Sequence, residues 1–124
     1  MQTTFKLFIP CLVCLALLLL SGCAKSLPKL TTAEQAEVDT YIKSYGRHAI
    51  AFYLANVGHH APNTDEEFVL KYVKWFVSQG ADVNAKAIYY RYSGQTPLDI
   101  ATSCGHATVV RYLKSVGAKT REEL

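Results

Sequence analysis

The sequence has little net charge and no cluster of one sign. Its 124 residues include 13 lysines and arginines and 10 aspartates and glutamates, which give a formal net charge of +3, and half of the residues are hydrophobic. Disordered chains are poor in hydrophobic residues and strongly charged, so disorder of the whole chain is excluded. The basic residues form no stripe of the kind that binds nucleic-acid phosphates. We therefore expect one folded domain and no nucleic-acid partner.

Sequence patterns of the common enzyme classes are also missing. There is no Gly-rich phosphate loop, no Ser-His-Asp order, no nucleophile elbow and no His-Glu-x-x-His zinc motif. His59 and His60 are adjacent in a predicted loop, where they could face one ion with His48 as a third ligand, although a solvated loop pair is the simpler interpretation. We expect no catalytic residue, metal, cofactor or small-molecule substrate. A metal-dependent enzyme that uses these three histidines is kept as an alternative.

The one long hydrophobic run is too short to span a membrane. Residues 7–20 are apolar except for Pro10, and this run of 14 residues falls below the roughly 20 that a spanning helix needs. Lys6 precedes the run, and the small residues Ser21 and Gly22 follow it. This order of a basic segment, an apolar segment and small residues is typical of a secretory signal peptide.

The end of this run carries a processing motif. Residues 20–23 read Leu-Ser-Gly-Cys and resemble the lipobox of bacterial lipoproteins. The resemblance implies that residues 1–22 are removed and that Cys23 is lipidated on its sulfur and acylated on its amine, with palmitate among the chains. More than one acyl chain makes the attachment stable. Ala24 stands where such lipoproteins carry an inner-membrane retention Asp, which implies the periplasmic face of the outer membrane; the inner membrane is the alternative.

The cysteines do not support a disulfide framework. Four cysteines would allow two disulfides. Cys11 and Cys14 would leave with the signal peptide and Cys23 would be lipidated, so Cys104 is left alone. We predict that Cys104 is a small, partly buried helix residue rather than a reactive thiol, because no activating base and no Cys-x-x-Cys spacing accompany it.

The mature chain begins with a short linker and a helix. Residues 23–30 comprise the lipidated cysteine and a polar segment containing a proline, and residues 31–124 form the predicted domain. Capping-box residues and hydrophobic residues at helical spacing predict a first helix over residues 32–45. The same spacing predicts a second helix over residues 47–57, with Gly58 as the residue that ends it.

A third helix is predicted after a loop. The loop spans residues 59–63 and contains a proline. Thr64 and Glu67 stand at capping-box spacing and would open a helix that runs to Gln79. Its apolar face is wide, which indicates contacts on more than one side.

The last third of the sequence carries spaced motifs that resemble one family. They are Gly80-Ala81-Asp82-Val83-Asn84-Ala85, Gly94-Gln95-Thr96-Pro97-Leu98-Asp99-Ile100-Ala101, Gly105-His106, Val109-Val110, Leu113 and Gly117-Ala118-Lys119. Together they resemble the ankyrin repeat, closely over residues 80–118 and loosely upstream. The resemblance implies an all-α fold, a short ankyrin-repeat solenoid with an N-terminal helix and about two helix-pair repeats. It also implies that His106 closes the turn between two helices.

The sequence departs from the ankyrin pattern at two places. Asp99 stands where the family usually has His, which leaves the bonding between repeats open at this position. The residues after Lys119 are too few for another helix pair, so the side of the last helix carrying Val109 and Val116 is predicted to lack a full cover. Either neighbouring side chains or another protein would cover it.

The finger loop between the two motif blocks is longer than the family's. Residues 85–94 hold about four more residues than usual and include Tyr89, Tyr90, Arg91 and Tyr92. Tyrosine and arginine are enriched at protein-binding hot spots, so we predict the partner site here. The alternative is a longer hairpin whose tyrosines pack on their own scaffold.

These observations favour a non-catalytic module that binds another protein. The resemblances imply a lipid-anchored periplasmic protein that scaffolds or regulates an envelope protein. The alternative is an immunity or inhibitor lipoprotein that neutralises a toxic enzyme acting in the periplasm, because a finger on a short tether would suit an active-site cleft. Repeat scaffolds leave specificity to surface residues, so the partner itself is left open.

Overall fold

All regular secondary structure in the described part of the chain is helical. A computed structural model describes residues 27–60, 65–88 and 91–124, with the backbone alone for residues 58–60. These residues contain five α-helices, a single 3-10 turn and no β-strand. The elements are α1 (Thr32–Tyr45), the 3-10 turn (Gly46–His48), α2 (Ala49–His60), α3 (Glu66–Ser78), α4 (Pro97–Ser103) and α5 (Ala107–Ser115).

The helices form two stacked pairs with a further helix at one end. Helix α2 packs against α4 and α3 packs against α5, so each helix of the first pair lies beside its counterpart in the second. Within the pairs, α2 contacts α3 and α4 contacts α5, and α1 packs on both α2 and α3. The predicted all-α solenoid, an N-terminal helix followed by two helix-pair repeats, is confirmed.

Helix α1 begins and ends as predicted. The Thr31 hydroxyl accepts a hydrogen bond from the Glu34 amide at 3.2 Å, and the Thr31 amide donates to the Glu34 carboxylate at 2.7 Å. The same carboxylate accepts from Lys71 Nζ at 2.9 Å, so the cap of α1 is also tied to α3. Gly46 ends the helix with φ of 51°, a backbone conformation that glycine adopts without strain.

The predicted boundary between α2 and α3 is wrong at both ends. Helix α2 continues through Gly58 to His60, so the two histidines predicted to lie in a loop form the end of a helix. Helix α3 begins one residue later than the predicted capping box, because the Asp65 side chain caps it by accepting from the Glu67 amide at 3.1 Å. The predicted cap Thr64 lies outside the described residues.

Aromatic rings dominate the core between α1, α2 and α3. Tyr41 lies 5.7 Å from Phe76 and 5.6 Å from Tyr53, measured between ring centroids. Tyr53 stacks on Tyr72 at 5.1 Å, and the completely buried Phe76 ring lies 5.3 Å from Tyr53. Such ring pairs add stability beyond the area they bury. The N-terminal helix is therefore an integral part of the domain.

A carboxylate connects the two repeats at the start of α5. His106 precedes this helix, is buried and makes no capping bond with its side chain. Instead the Glu66 carboxylate of α3 accepts from the Thr108 amide at 2.6 Å. This hydrogen bond lowers the pKa of Glu66 below its usual value. The negative charge lies at the N-terminus of α5, where it is favoured by the helix dipole.

The segment before α1 is attached to the domain. The Trp75 indole donates to the Pro28 carbonyl at 2.6 Å, and Leu30 packs against the core. The residues that would act as a free tether therefore end before Pro28, although the sequence predicts a linker up to residue 30. Cys23 lies outside the described residues, and no helix within them is long and apolar enough to cross a membrane.

The last repeat is better covered than the sequence predicts. Val109 is fully buried in the core, and of the two valines only Val116 is exposed. The residues after α5 fold back onto the start of α4, where the Arg121 amide donates to the Asp99 carboxylate at 2.9 Å. The outward positions of α4 and α5 are polar or small, among them Thr102, Ser103, Ala107, Arg111 and Lys114. A polar outer side is what a terminal repeat needs.

Candidate protein-binding surface

The finger is closed at its base by main-chain hydrogen bonds. The Ala87 amide donates to the Gln95 carbonyl at 2.8 Å, and the Gly94 amide donates to the Ala87 carbonyl at 3.0 Å. Gly94 has φ of 82°, a conformation that favours glycine and permits this tight closure. These bonds bring the two ends of the finger together at Ala87 and Gly94.

The residues of the finger have different environments. Ile88 is 70% exposed and Arg91 is exposed, whereas Tyr92 is half-buried and packs against the core. Tyr89 and Tyr90 lie outside the described residues. The sequence left two alternatives for the finger, a partner site or tyrosines that pack on their own scaffold, and they apply to different residues. Tyr92 packs on its own scaffold, while Ile88 and Arg91 face solvent.

Ile88 has an exposed side chain that the sequence prediction missed. Among the large hydrophobic side chains that are exposed in the described residues, Ile88 has the highest exposed fraction, 70%. The sequence did contain one indication of this exposure. Ile88 lies among the added residues of the finger, where no helical spacing of hydrophobic residues would place it in the core. An exposed apolar side chain in this position is available for contact with a partner.

Cys104 supports Tyr92 from below. Its thiol is half-buried at the end of α4 and forms a hydrogen bond with the Tyr92 side chain. Burial raises the pKa of the Cys104 thiol above its usual value, and the hydrogen bond only partly opposes this. The thiolate form that reacts is therefore suppressed, in keeping with the predicted structural role.

Hydrogen bonds join the finger to the turns on either side. The His48 ring nitrogen Nδ1 lies 3.0 Å from the Lys86 carbonyl oxygen, and the Asp82 amide donates to the Arg47 carbonyl at 3.1 Å. On the other side, the Asn84 side chain accepts from the Lys119 amide at 2.8 Å. We call this side of the molecule, residues 43–48, 80–88, 91–99 and 114–124, the finger edge. Its three turns are fixed relative to one another.

Asp99 bonds within its own repeat and to the C-terminal segment, at the position where the sequence left the bonding between repeats open. Its carboxylate accepts from the Thr96 amide at 3.0 Å, which completes the cap of α4, and also from the Arg121 amide. Burial raises the pKa of Asp99, but the hydrogen bonds from Thr96 and Arg121 outweigh it, so the pKa lies below its usual value. These bonds hold the C-terminal segment against the start of α4 and do not reach the first helix pair.

The histidines of the metal-enzyme alternative are not brought together. His48 lies just before α2, and His59 and His60 are at the opposite end of this helix of 12 residues. A helix of that length spans about 18 Å, which is too far for one ion to contact both ends. Among the described residues, no group of three or more His, Cys, Asp or Glu side chains could hold a metal ion.

The fold and this edge define a class of protein, the helix-pair repeat solenoids with projecting turns. Residues 59–113 match the family model described as Ankyrin repeats (many copies). No curated protein and no solved structure matches the chain. The matched segment runs from the last turn of α2 into α5 and contains the whole finger, so it extends upstream of the close resemblance over residues 80–118. Over these residues the chain is similar to ankyrin repeats, which are modules for protein–protein interaction.

Proposed function

We propose that the protein is a lipid-anchored periplasmic module that binds an envelope protein through its finger and has no catalytic activity. The observation that carries the proposal is the exposure of Ile88 and Arg91 on a finger whose base is fixed by neighbouring turns. A rigid base lowers the entropy lost on binding, since little of the backbone must be ordered. The contact residues are Tyr89, Tyr90 and Arg91, with the exposed part of Tyr92.

The position of the proposed anchor favours this arrangement. Residues 24–27 separate Cys23 from Pro28, and so short a segment reaches at most about 17 Å. The chain then enters the domain at the N-terminal end of α1, whose 14 residues span about 21 Å before the finger edge is reached. A lipid on Cys23 would hold the domain near the membrane without bringing the finger onto it.

The anchor can be tested by removing the sulfur that carries the lipid. We expect Cys23→Ser to release the protein from sedimented membranes into the soluble fraction, because the thioether to the lipid cannot form without the cysteine sulfur. Cys104→Ser is the matched control, because its thiol lies inside the fold, and it should leave the membrane association unchanged. Membrane attachment that persists in Cys23→Ser would contradict the anchor.

The finger can be tested by capture from envelope extracts. We expect Tyr89→Ala/Tyr90→Ala to lower the recovery of the specific partner at least tenfold, which is the loss expected for a hot-spot pair. Tyr92 is left intact because it packs against the core. Phe68→Ala is the control, since this ring is also exposed but lies on α3 away from the finger. Full recovery with the finger variant, or equal loss with the control, would contradict the proposal.

The identity of the captured protein separates the two roles of such a module. A resident envelope protein would mark a scaffolding or regulatory role. A toxic enzyme that acts in the periplasm would mark an immunity role, with the finger occupying its active-site cleft.

A further inference from the structure

The finger edge carries an excess of positive charge. It contains seven lysines and arginines against four aspartates and glutamates. The basic residues are Lys43, Arg47, Lys86, Arg91, Lys114, Lys119 and Arg121, and the acidic residues are Asp82, Asp99, Glu122 and Glu123. All seven basic residues are exposed. The whole chain has the same excess of three, 13 basic against 10 acidic residues, so the fold gathers the net positive charge of the chain on this edge.

Three of the four carboxylates on this edge are engaged within the protein. Asp82 accepts from the Asn84 amide at 2.8 Å and lies 3.4 Å from the Arg47 guanidinium. Asp99 accepts from main-chain amides, as described above, and Glu123 accepts from the Thr120 amide at 3.0 Å. These carboxylates keep their negative charge and Arg47 is paired with Asp82, so the edge has a net excess of three positive charges, seven basic residues against four acidic ones.

The opposite charge lies at the other ends of α1 and α3. Residues 27–37 and 65–71 contain five acidic residues and two basic ones. The acidic residues are Glu34, Glu37, Asp65, Glu66 and Glu67, and the basic ones are Lys29 and Lys71. The domain is therefore polarised along its helices, positive at the finger edge and negative where the chain enters.

We propose that the partner presents an acidic segment to the finger edge, with an apolar residue that contacts Ile88. This inference rests on the proposed function, because it specifies the partner of the same finger. Lys86 and Arg91 lie on either side of Ile88 in the sequence, so an apolar contact is bordered by positive charge. Complementary charge at the border of an interface speeds association and sets partner choice.

A protein fits this edge better than an anionic membrane does. The chain enters the domain one α1 length, about 21 Å, from the finger edge. An anchor at that entry would place the acidic ends of α1 and α3 nearer the lipid than the basic edge. Binding of lipid headgroups to the finger edge would contradict this arrangement, so the experiment below must be able to detect it.

The experiment uses the full chain in cells, with the photoreactive residue p-benzoylphenylalanine in place of Ile88. After irradiation, the attached molecules are identified by mass spectrometry, and the attached peptide segment is sequenced. We compare this protein with the same protein carrying Lys86→Glu/Arg91→Glu, which reverses two charges beside the probe. The control carries Lys29→Glu/Arg111→Glu, which changes the same number of exposed charges outside the finger edge.

The expected result is attachment to a protein segment of net negative charge, with a yield that falls at least tenfold in Lys86→Glu/Arg91→Glu and stays within twofold in the control. A neutral or basic attached segment, attachment to lipid or nucleic acid, or an unchanged yield after charge reversal would overturn the inference. Charge reversal could have no effect while Tyr89→Ala/Tyr90→Ala still abolishes capture. In that case the proposed function stands, and the inference that the partner presents an acidic segment is wrong. If neither variant loses its partner, both proposals fail.

Discussion

Replacing Phe76 by alanine is expected to destabilise the domain by about 3–5 kcal/mol, the cost of removing a fully buried phenylalanine. The Phe76 ring is 0% exposed and contacts rings from both α1 and α2, so the variant leaves a cavity where three helices meet. Small domains have total stabilities of about 5–15 kcal/mol, so this loss removes a large fraction of the stability of the domain. Urea unfolding followed by circular dichroism measures the difference.

Phe68→Ala is the matched control for this prediction. It removes the same ring from the same helix, but Phe68 is 40% exposed and lies at the edge of the aromatic core. We expect its cost to be less than half that of Phe76→Ala. Equal costs would show that α1 does not pack on the repeats as described, since the two sites would then differ little in burial.

Replacing Leu98 by alanine is expected to cost about 2–5 kcal/mol and to weaken the coupling between the repeats. Leu98 is 1% exposed on α4, the helix that contacts both α2 and α5. Repeat arrays gain stability from the interfaces between neighbours, and with two repeats there is no other neighbour to compensate. Unfolding monitored at Trp75 and by circular dichroism should then give two transitions in the variant, where the wild type gives one.

Leu124→Ala serves as the comparison, because this leucine is 57% exposed. Its effect should stay within about 0.5 kcal/mol, as for most surface substitutions. A single shared transition in Leu98→Ala, at nearly wild-type stability, would mean that the two helix pairs do not depend on their contact.

The motifs of the last third predicted the fold because each has a local physical role. Thr96 caps α4 and Pro97 opens it, as the spacing predicts, and the helix pairs then stack in one way. The end of α2 was mispredicted because Gly58 is a typical helix terminator, yet the helix continues by two residues. Asp65 and Thr64 are both good capping residues, and sequence alone does not choose between neighbours.

The features of the binding surface depended on contacts distant in sequence. The charge of the finger edge arises from residues 43–48 and 114–124, which the fold brings beside the finger. Neither segment is strongly basic when it is considered alone. In the same way, the burial of Tyr92 follows from Cys104 beneath it, and the attachment of Pro28 follows from Trp75. Composition and spacing contain no information on these pairs.

Amide hydrogen exchange of the protein with and without its captured partner tests the central claim most directly. The account predicts that binding slows exchange at residues 86–94 and at the adjoining turn 46–48, with no change along the outer surfaces of α3 and α5. Protection confined to those outer helices, with the finger exchanging as fast as in the free protein, would contradict it.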